Sequence, residues 1–220
     1  MATNPNILSG FQAKRKTMQN RLPNSMKPVF GSNQWMKKMS LLKLTGLLVL
    51  LTFLSTSSFS QIQLITSSDG GFENGTSSFA ANGWTPVQPG NSRQWQVGTA
   101  AGSVSGGSKS AYMGTSSNYN GNNNNSVQHF YRDVAVPSGA TNVQFQFYLR
   151  RGTVDAGDNF YVFTTTTSNT PVSGTVPTTG YTTIYNDQTT TYSNFTQMTA
   201  VNLSSWAGST VRLVFTFQSD

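Results

Sequence analysis

The sequence contains no cysteine among its 220 residues. This absence excludes disulfides, thiolate metal sites and cysteine nucleophiles, so the hydrophobic core must hold an exported chain of this kind together. Histidine is almost absent too, since His129 is the single example. A catalytic triad or a zinc site needs further partners around a histidine, and none stands out in the sequence. His129 is therefore interpreted as an ordinary histidine of a strand or the surface.

Acidic residues are also scarce, and the charges are unevenly distributed. The formal net charge is +7, but eight of the 14 Lys and Arg residues precede residue 44. From residue 61 onward, six bases stand against seven acids, which gives a net charge of −1. Binding to phosphates requires clustered Lys and Arg, and only Arg150 and Arg151 are adjacent in that region. The sequence therefore predicts no nucleic-acid partner.

Long apolar runs are limited to one segment near the start of the chain. Residues 36–60 begin with lysines, continue with an apolar stretch over residues 44–54, and end with small residues at Ser58 and Ser60. This order is typical of a signal peptide cut between Ser60 and Gln61. The apolar stretch is short for a membrane span of about 20 residues, although an uncleaved anchor is the alternative. The sequence predicts a secreted or cell-surface product with no membrane span after cleavage.

The segment ahead of this signal, residues 1–35, shows no convincing periodicity. It mixes bases, Asn, Pro and isolated apolar residues. Two interpretations are open, namely a disordered leader and a mis-called gene start. The second is favoured because residues 36–60 form a complete export signal by themselves.

Residues 61–220 read as a succession of short β-strands separated by turns rich in Gly, Pro, Asn and Ser. The clearest alternation covers residues 143–149, and residues 210–217 alternate in the same way. Residues 61–66 (QIQLIT) predict a first strand, and no convincing amphipathic helix is present. The long connections favour strands that cross between two sheets. The sequence predicts one all-β domain, an antiparallel β-sandwich of the jelly-roll type.

Exposed aromatic residues are the first candidates for a binding role. Trp84, Trp95 and Trp206 have two interpretations, stacking on sugar rings or filling the core, and the core is the commoner fate of a strand aromatic. Tyr119, in the Asn-rich stretch 116–126, is the better candidate for an exposed aromatic residue.

Catalytic candidates are fewer still. Asp155 and Asp158 flank a turn, and paired carboxylates can act in acid–base chemistry. No further acid–base partner accompanies this pair, so the chain is predicted not to be an enzyme.

Several motifs occur in an order that resembles a known family. They are Phe72-Glu73, Gly83-Trp84-Thr85, Trp95, Ser110-Ala111-Tyr112, the strand around Phe145, and Asp158-Asn159-Phe160-Tyr161-Val162. Together they resemble the choice-of-anchor J or cleaved-adhesin domains of secreted surface proteins from Bacteroidetes-type bacteria. These domains are similar to MAM and galactose-binding-like modules. The resemblance implies a non-catalytic jelly roll that recognises a glycan or a surface protein.

The end of the chain bears on this resemblance. Members of the family usually continue past the strand at residues 212–217 through a loop into a final strand. Since the sequence stops at Asp220, the resemblance implies a C-terminally truncated domain that lacks its last strand. Such a domain would have an exposed edge or a gap in one sheet.

The resemblance also implies a structural calcium ion. In related jelly rolls an acidic residue after the first Phe helps to hold Ca²⁺, and Glu73 has that position here. Calcium takes six to eight oxygen ligands, and Asp69, Glu73 and nearby carbonyl groups could begin such a shell. An ordinary carboxylate in a turn is the alternative interpretation of Glu73.

The predicted function is thus an exported, non-catalytic binding module for adhesion or for carbohydrate or protein recognition. Two alternatives remain open. The domain could be an accessory part of a secreted peptidase or glycoside hydrolase whose catalytic part lies outside this sequence, or a structural spacer of a surface protein. Fold alone does not choose among these functions.

Overall fold

The computed structural model describes residues 6–9, 62–90, 93–104, 106–115, 118–119, 126–152 and 157–219. The predicted signal peptide, its cleavage point between Ser60 and Gln61, and Asp155 lie outside the described residues. Apart from Ile62, all described residues belong to one structural unit.

Antiparallel strands form most of the regular structure. In chain order they are β1 (Asn6–Ser9), β2 (Thr85–Val87), β3 (Gln94–Gly98), β4 (Ser110–Thr115), β5 (Asn118–Tyr119), β6 (Ser126–Ala135), β7 (Gln144–Phe145), β8 (Tyr148–Arg151), β9 (Asn159–Thr165), β10 (Thr182–Asp187), β11 (Tyr192–Gln197), β12 (Val201–Asn202) and β13 (Thr210–Ser219). The described helices are α1 (Ser67–Gly70) and the 3₁₀ turns Ala80–Asn82 and Ser204–Trp206. The predicted all-β antiparallel class is confirmed, and none of the described helices is long and apolar enough to cross a membrane.

One sheet has five strands in the order β10-β9-β13-β6-β2. Its central pair, β13 and β6, is in register from Thr210 opposite Ala135 to Ser219 opposite Ser126. The odd-numbered apolar residues of β13 enter the core, as their period of two predicts. The connection between β9 and β10 covers part of the other face, where Arg212 Nη1 donates to Asn169 O at 2.9 Å.

The second large sheet has the order β11-β8-β1-β4-β3, with β5 paired to β4. Its middle strand, β1, comes from the N-terminal segment for which the sequence shows no periodicity. Leu8 of β1 lies opposite Ala111 of β4 and Leu149 of β8. Both of these neighbours belong to the hydrophobic core.

The two large sheets share one hydrophobic core. Phe130 of β6 and Phe215 of β13 stack in parallel with centroids 4.8 Å apart. Trp95 of β3, in the other sheet, meets the Phe130 ring edge-on at 4.8 Å. Buried aromatic rings thus connect the sheets, and such pairs stabilise beyond the area that they bury.

The predicted single strand over residues 143–149 differs from the structure. Residues 143–149 are divided between β7, which pairs with β12, and β8, which pairs with β1 and β11. The predicted core face is kept, because Phe145, Phe147 and Leu149 are all buried.

The predicted first strand over residues 61–66 is wrong for the described residues 62–66. Thr66 instead caps α1, and its Oγ1 accepts a hydrogen bond from Asp69 N at 3.1 Å. A hydroxyl at the N-cap satisfies an otherwise unpaired amide of the first helical turn, and this local bond favours the helix start.

Candidate functional site

A cleft of about 460 Å³, here called the Trp206 cleft, lies beside the edge strand β10. Thr182 and Ile184 of β10 form one wall, and the segment from Asn202 to Ser209 forms the opposite one. The cleft is therefore built from two parts of the chain that are distant in sequence.

Backbone hydrogen bonds hold the segment that carries Trp206. Leu203 N donates to Val143 O at 2.8 Å, and Gly208 N donates to Val136 O at 3.0 Å. Gly208 has a φ of +79°, a conformation that glycine adopts without steric cost. The Trp206 wall is consequently fixed before any ligand arrives, which lowers the entropic cost of binding.

The chemistry of the Trp206 cleft is neutral. Its apolar surface comes from Trp206, which is half-buried, and from Ile184 and Leu203. Its polar groups are the hydroxyls of Thr164, Thr182, Ser205 and Ser209 and the amide of Asn202. None of these described lining residues carries a charge. An aromatic surface bordered by hydroxyls and an amide favours a neutral, polar ligand.

Asn202 illustrates how the polar rim is arranged. Its Oδ1 accepts from Ser204 N at 2.8 Å, which orients the amide group. Its Nδ2 makes no hydrogen bond to another described residue, so both N–H donors remain available. Oriented donors of this kind give a site its specificity.

The two predicted calcium ligands have different partners. Asp69 forms an ion pair with Arg132, whose Nη2 lies 2.8 Å from Oδ2, and also accepts from Asn74 Nδ2. Glu73 Oε1 accepts from Ser108 N at 2.6 Å and from Lys109 N at 2.8 Å. Each carboxylate is thus held in place by donors of the protein.

Glu73 lines a second cleft of about 230 Å³, together with Ser67, Gly107 and Lys109. Burial alone would raise the pKa of Glu73, but hydrogen bonds from Lys109 and Ser108 and the charge of Lys109 outweigh it and lower this pKa. Among the described residues, no group of three or more His, Cys, Asp or Glu side chains lies close enough to hold a metal ion. The calcium site therefore remains a prediction from the resemblance.

The other candidates from the sequence that the structure describes are buried. Trp84 and Trp95 are each only 2% exposed, so they are core residues and not sugar-stacking surfaces. Asp158 is buried, and its backbone carbonyl accepts from Arg151 Nη2 at 2.7 Å. Its predicted partner Asp155 is not among the described residues, and neither is the side chain of Tyr119.

His129 is completely buried in β6, where the sequence predicts a strand. Its Nε2 lies 3.0 Å from the carbonyl oxygen of Val172, and its Nδ1 lies 2.8 Å from Thr216 Oγ1. A carbonyl only accepts, so the neutral ring carries its proton on Nε2, and Nδ1 accepts from the Thr216 hydroxyl. Both ring nitrogens have structural partners.

This burial predicts a pH dependence of stability. Burial lowers the pKa of His129 from 6.5 to about 4. The unfolded chain therefore binds a proton below pH 6.5, whereas the folded chain binds one only near pH 4. Stability that is fully present above pH 6.5 is lost as the pH falls, by about 2 kcal/mol between pH 7.5 and pH 5.

Denaturant unfolding at several pH values would measure this loss, and His129→Gln is the matched control because glutamine does not titrate. The variant is expected to be less stable at pH 7.5 but to lose little between pH 7.5 and pH 5. Equal losses in both proteins would show that other groups cause the pH dependence.

Sequence reasoning missed a buried ion pair between β8 and the end of β10. Arg151 is fully buried, and its Nη1 lies 3.1 Å from Asp187 Oδ1. Tyr185 and the amides of Thr189 and Thr190 donate to the same carboxylate. The signal was present, because the period of two places Arg151 on the same face as Leu149.

Comparison with known proteins adds no relative, because no protein-family model, no curated protein and no solved structure matches this chain.

Proposed function

We propose that this chain is an exported, non-catalytic binding module that recognises a neutral glycan in the Trp206 cleft. The cleft is the observation that carries the proposal. It combines the half-buried indole of Trp206 with the side chains of Thr182, Asn202, Ser205 and Ser209, all of them uncharged. Sugars present apolar ring faces and many hydroxyls, which fit an aromatic surface bordered by neutral donors and acceptors.

The fold that accompanies this proposal is the jelly roll. Among the described strands of the two large sheets, the next strand belongs to the opposite sheet after β1, β2, β5, β6, β8, β10 and β11. Such crossings are a feature of double-sheet jelly rolls. The resemblance to choice-of-anchor J domains supports the same fold and a location outside the cell or at its surface.

A non-catalytic role is supported by the hydrogen-bond partners of five described titratable side chains. Both ring nitrogens of His129 bind protein groups. The carboxylates of Asp69, Glu73, Asp133 and Asp187 each accept from protein donors. A general acid or base needs a reactive group that reaches the substrate, and these groups instead hold the fold together.

Glycan binding can be tested with immobilised neutral oligosaccharides, followed by titration calorimetry on those that retain the protein. Trp206→Ala is expected to weaken binding by about ten-fold or more, because it removes the stacking surface. A similar loss is expected for Asn202→Ala, which removes an oriented amide.

Phe195→Ala is the matched control, since it removes a half-buried aromatic ring that lies near Arg150 in the other large sheet. It should leave binding unchanged. Retention of no oligosaccharide, or binding that survives Trp206→Ala, would contradict the proposal and favour a structural spacer.

A further inference from the structure

The middle strand of one large sheet comes from outside the segment predicted to remain after export. β1 pairs with β4 on one side and with β8 on the other, yet Asn6–Ser9 precedes the cut between Ser60 and Gln61. Cleavage there would remove β1 and leave a gap one strand wide, here called the β4–β8 gap. We propose that in the exported chain residues 62–66 take the place of β1 in this gap. The proposal rests on the export proposed above.

An empty β4–β8 gap would be costly. Ala111 and Tyr112 of β4 and Leu149 and Arg151 of β8 are almost completely buried. Without a strand between them, backbone N–H and C=O groups of both strands would lose their partners in the middle of a sheet. Two unpaired edges also invite pairing with any extended segment nearby. The gap therefore needs an occupant that forms hydrogen bonds on both sides.

Ser67, the residue after the proposed strand, is already placed at one end of the gap. In the register of β1, Leu8 lies opposite Ala111, so a residue two positions later would lie opposite Lys109. Ser67, which directly follows the proposed strand, lines the same cleft as Gly107 and Lys109. The adjoining chain is fixed there, since Glu73 Oε1 accepts from Lys109 N at 2.8 Å. Residues 62–66 can therefore enter the gap while the chain from Ser67 onward stays in place.

The direction of the chain is also correct. β1 runs antiparallel to β4. Ile7 lies opposite Tyr112 and Leu8 lies opposite Ala111, so β1 runs towards Ser110, the first residue of β4. Residues 62–66 lead to Ser67, which lines the same cleft as Lys109, the residue just before β4. They would therefore run in the same direction as β1. Thr66 already has extended backbone angles, with φ −63° and ψ 156°. The exchanged strand can thus continue into α1 without a change of conformation at its last residue.

The side-chain pattern fits the same register. Leu64 takes the position of Leu8, between the core residues Ala111 and Leu149. Gln63 then takes the position of Ile7, on the outer face beside Tyr112 and Arg150. A shift by one residue would instead place Gln63 or Ile65 at the core-facing position, and register is strongly specified wherever one face is buried. Leu64 is already half-buried against the core in this structure, so the exchange requires only a local movement.

Because the natural sequence contains no cysteine, any disulfide in a cross-linking test must form between introduced cysteines. The full chain with Leu64→Cys and Ala111→Cys would be produced in a bacterium that exports it, and the recovered protein would be weighed by mass spectrometry. Opposite residues of paired strands satisfy the distance limits for a disulfide. The expected result is a product that begins at Gln61 and carries an intramolecular disulfide in most molecules. The control, Gln63→Cys with Ala111→Cys, places the two thiols on opposite faces and should remain reduced.

The outcomes separate the two proposals. A product that keeps residues 1–60 overturns the export on which the exchange rests. A processed product without the Leu64–Ala111 cross-link, or with cross-links only between two chains, overturns the strand exchange and leaves export standing. If the cysteine variants fail to fold, hydrogen exchange of the unsubstituted processed chain decides. The amides of β4 and β8 that face the gap should be protected like those of β6 and β13, and rapid exchange there would overturn the proposal.

Discussion

Replacing Asp187 by leucine is expected to lower the free energy of unfolding by about 3 kcal/mol, because it removes the carboxylate that pairs with the buried guanidinium of Arg151. Arg151 is fully buried, and its Nη1 donates both to the Asp187 side chain at 3.1 Å and to the Asp187 backbone carbonyl at 2.8 Å. The backbone carbonyls and the carboxylate of Asp158 remain in the variant, but Asp187 is the larger of the two carboxylate contributions to Arg151. The loss can be measured by urea denaturation with linear extrapolation to water.

The environment of Asp187 supports a large effect. Burial alone would raise the pKa of Asp187, but hydrogen bonds from the amides of Thr190 and Thr189, the hydroxyl of Tyr185 and the charge of Arg151 outweigh it and lower this pKa. The folded state thus stabilises the ionised carboxylate through several donors at once. Removal of the carboxylate leaves all of these donors without their acceptor.

A double-mutant cycle separates the pair from its surroundings. Arg151→Met together with Asp187→Leu removes both charges, and buried ion pairs replaced by apolar residues of similar volume are often nearly neutral. The double variant is therefore expected to recover the part of the loss that comes from the uncompensated charge of Arg151, whereas the part that comes from the unpaired amides and the Tyr185 hydroxyl remains. Asp69→Asn is the matched control, since its ion pair with Arg132 is partly exposed and is expected to contribute about 1 kcal/mol or less. A double variant no more stable than Asp187→Leu would contradict the interpretation as a coupled pair.

The strands could be predicted wherever apolar residues alternate with polar ones. Val211, Leu213, Phe215 and Phe217 were expected on one face, and all four are buried in the core. Alternation reports which side of a strand faces the core, because successive side chains point to opposite faces. It carries no information on which neighbour the strand pairs with. Residues 143–149 keep their predicted face for that reason, although they are divided between two sheets.

The candidate site could be predicted only in part. Trp206 was one of three tryptophans with a possible binding role, and no sequence pattern distinguished it from Trp84 and Trp95. Their burial differs because Trp84 and Trp95 pack against Phe130, whereas Trp206 lies in a short 3₁₀ turn at the border of the core. The cleft itself joins Thr182 with Ser209, and a contact between such distant positions depends on the tertiary fold.

The strand β1 was beyond prediction for a different reason. Asn6–Ser9 is four residues long, and so short an apolar segment does not distinguish a strand from a loop. Its place in the sheet depends on pairing with β4 and β8, which lie far away in the sequence.

Replacing Phe130 by alanine is expected to be the most destabilising single change in the core. The Phe130 ring is fully buried and lies within 4.8 Å of the Trp95 and Phe215 ring centroids. Two further rings, those of Phe79 and Trp84, follow at 5.1 and 5.4 Å. Phe→Ala changes in cores cost about 3–5 kcal/mol, and aromatic pairs add about 0.5–1.5 kcal/mol each beyond their buried area. A loss of about 5 kcal/mol is therefore expected.

Such a loss is comparable to the whole stability of many domains, about 5–15 kcal/mol, so the variant should be poorly folded at elevated temperature. Denaturant unfolding and near-ultraviolet circular dichroism, which reports the packing of Trp84 and Trp95, would measure the effect. Phe130→Leu is the matched control, because it keeps most of the apolar volume and is expected to cost about 1.5 kcal/mol. If Phe130→Ala lost no more stability than the roughly 1.5 kcal/mol expected for Phe130→Leu, the ring contacts would not contribute as inferred, and the two sheets would be held together by their aliphatic residues instead.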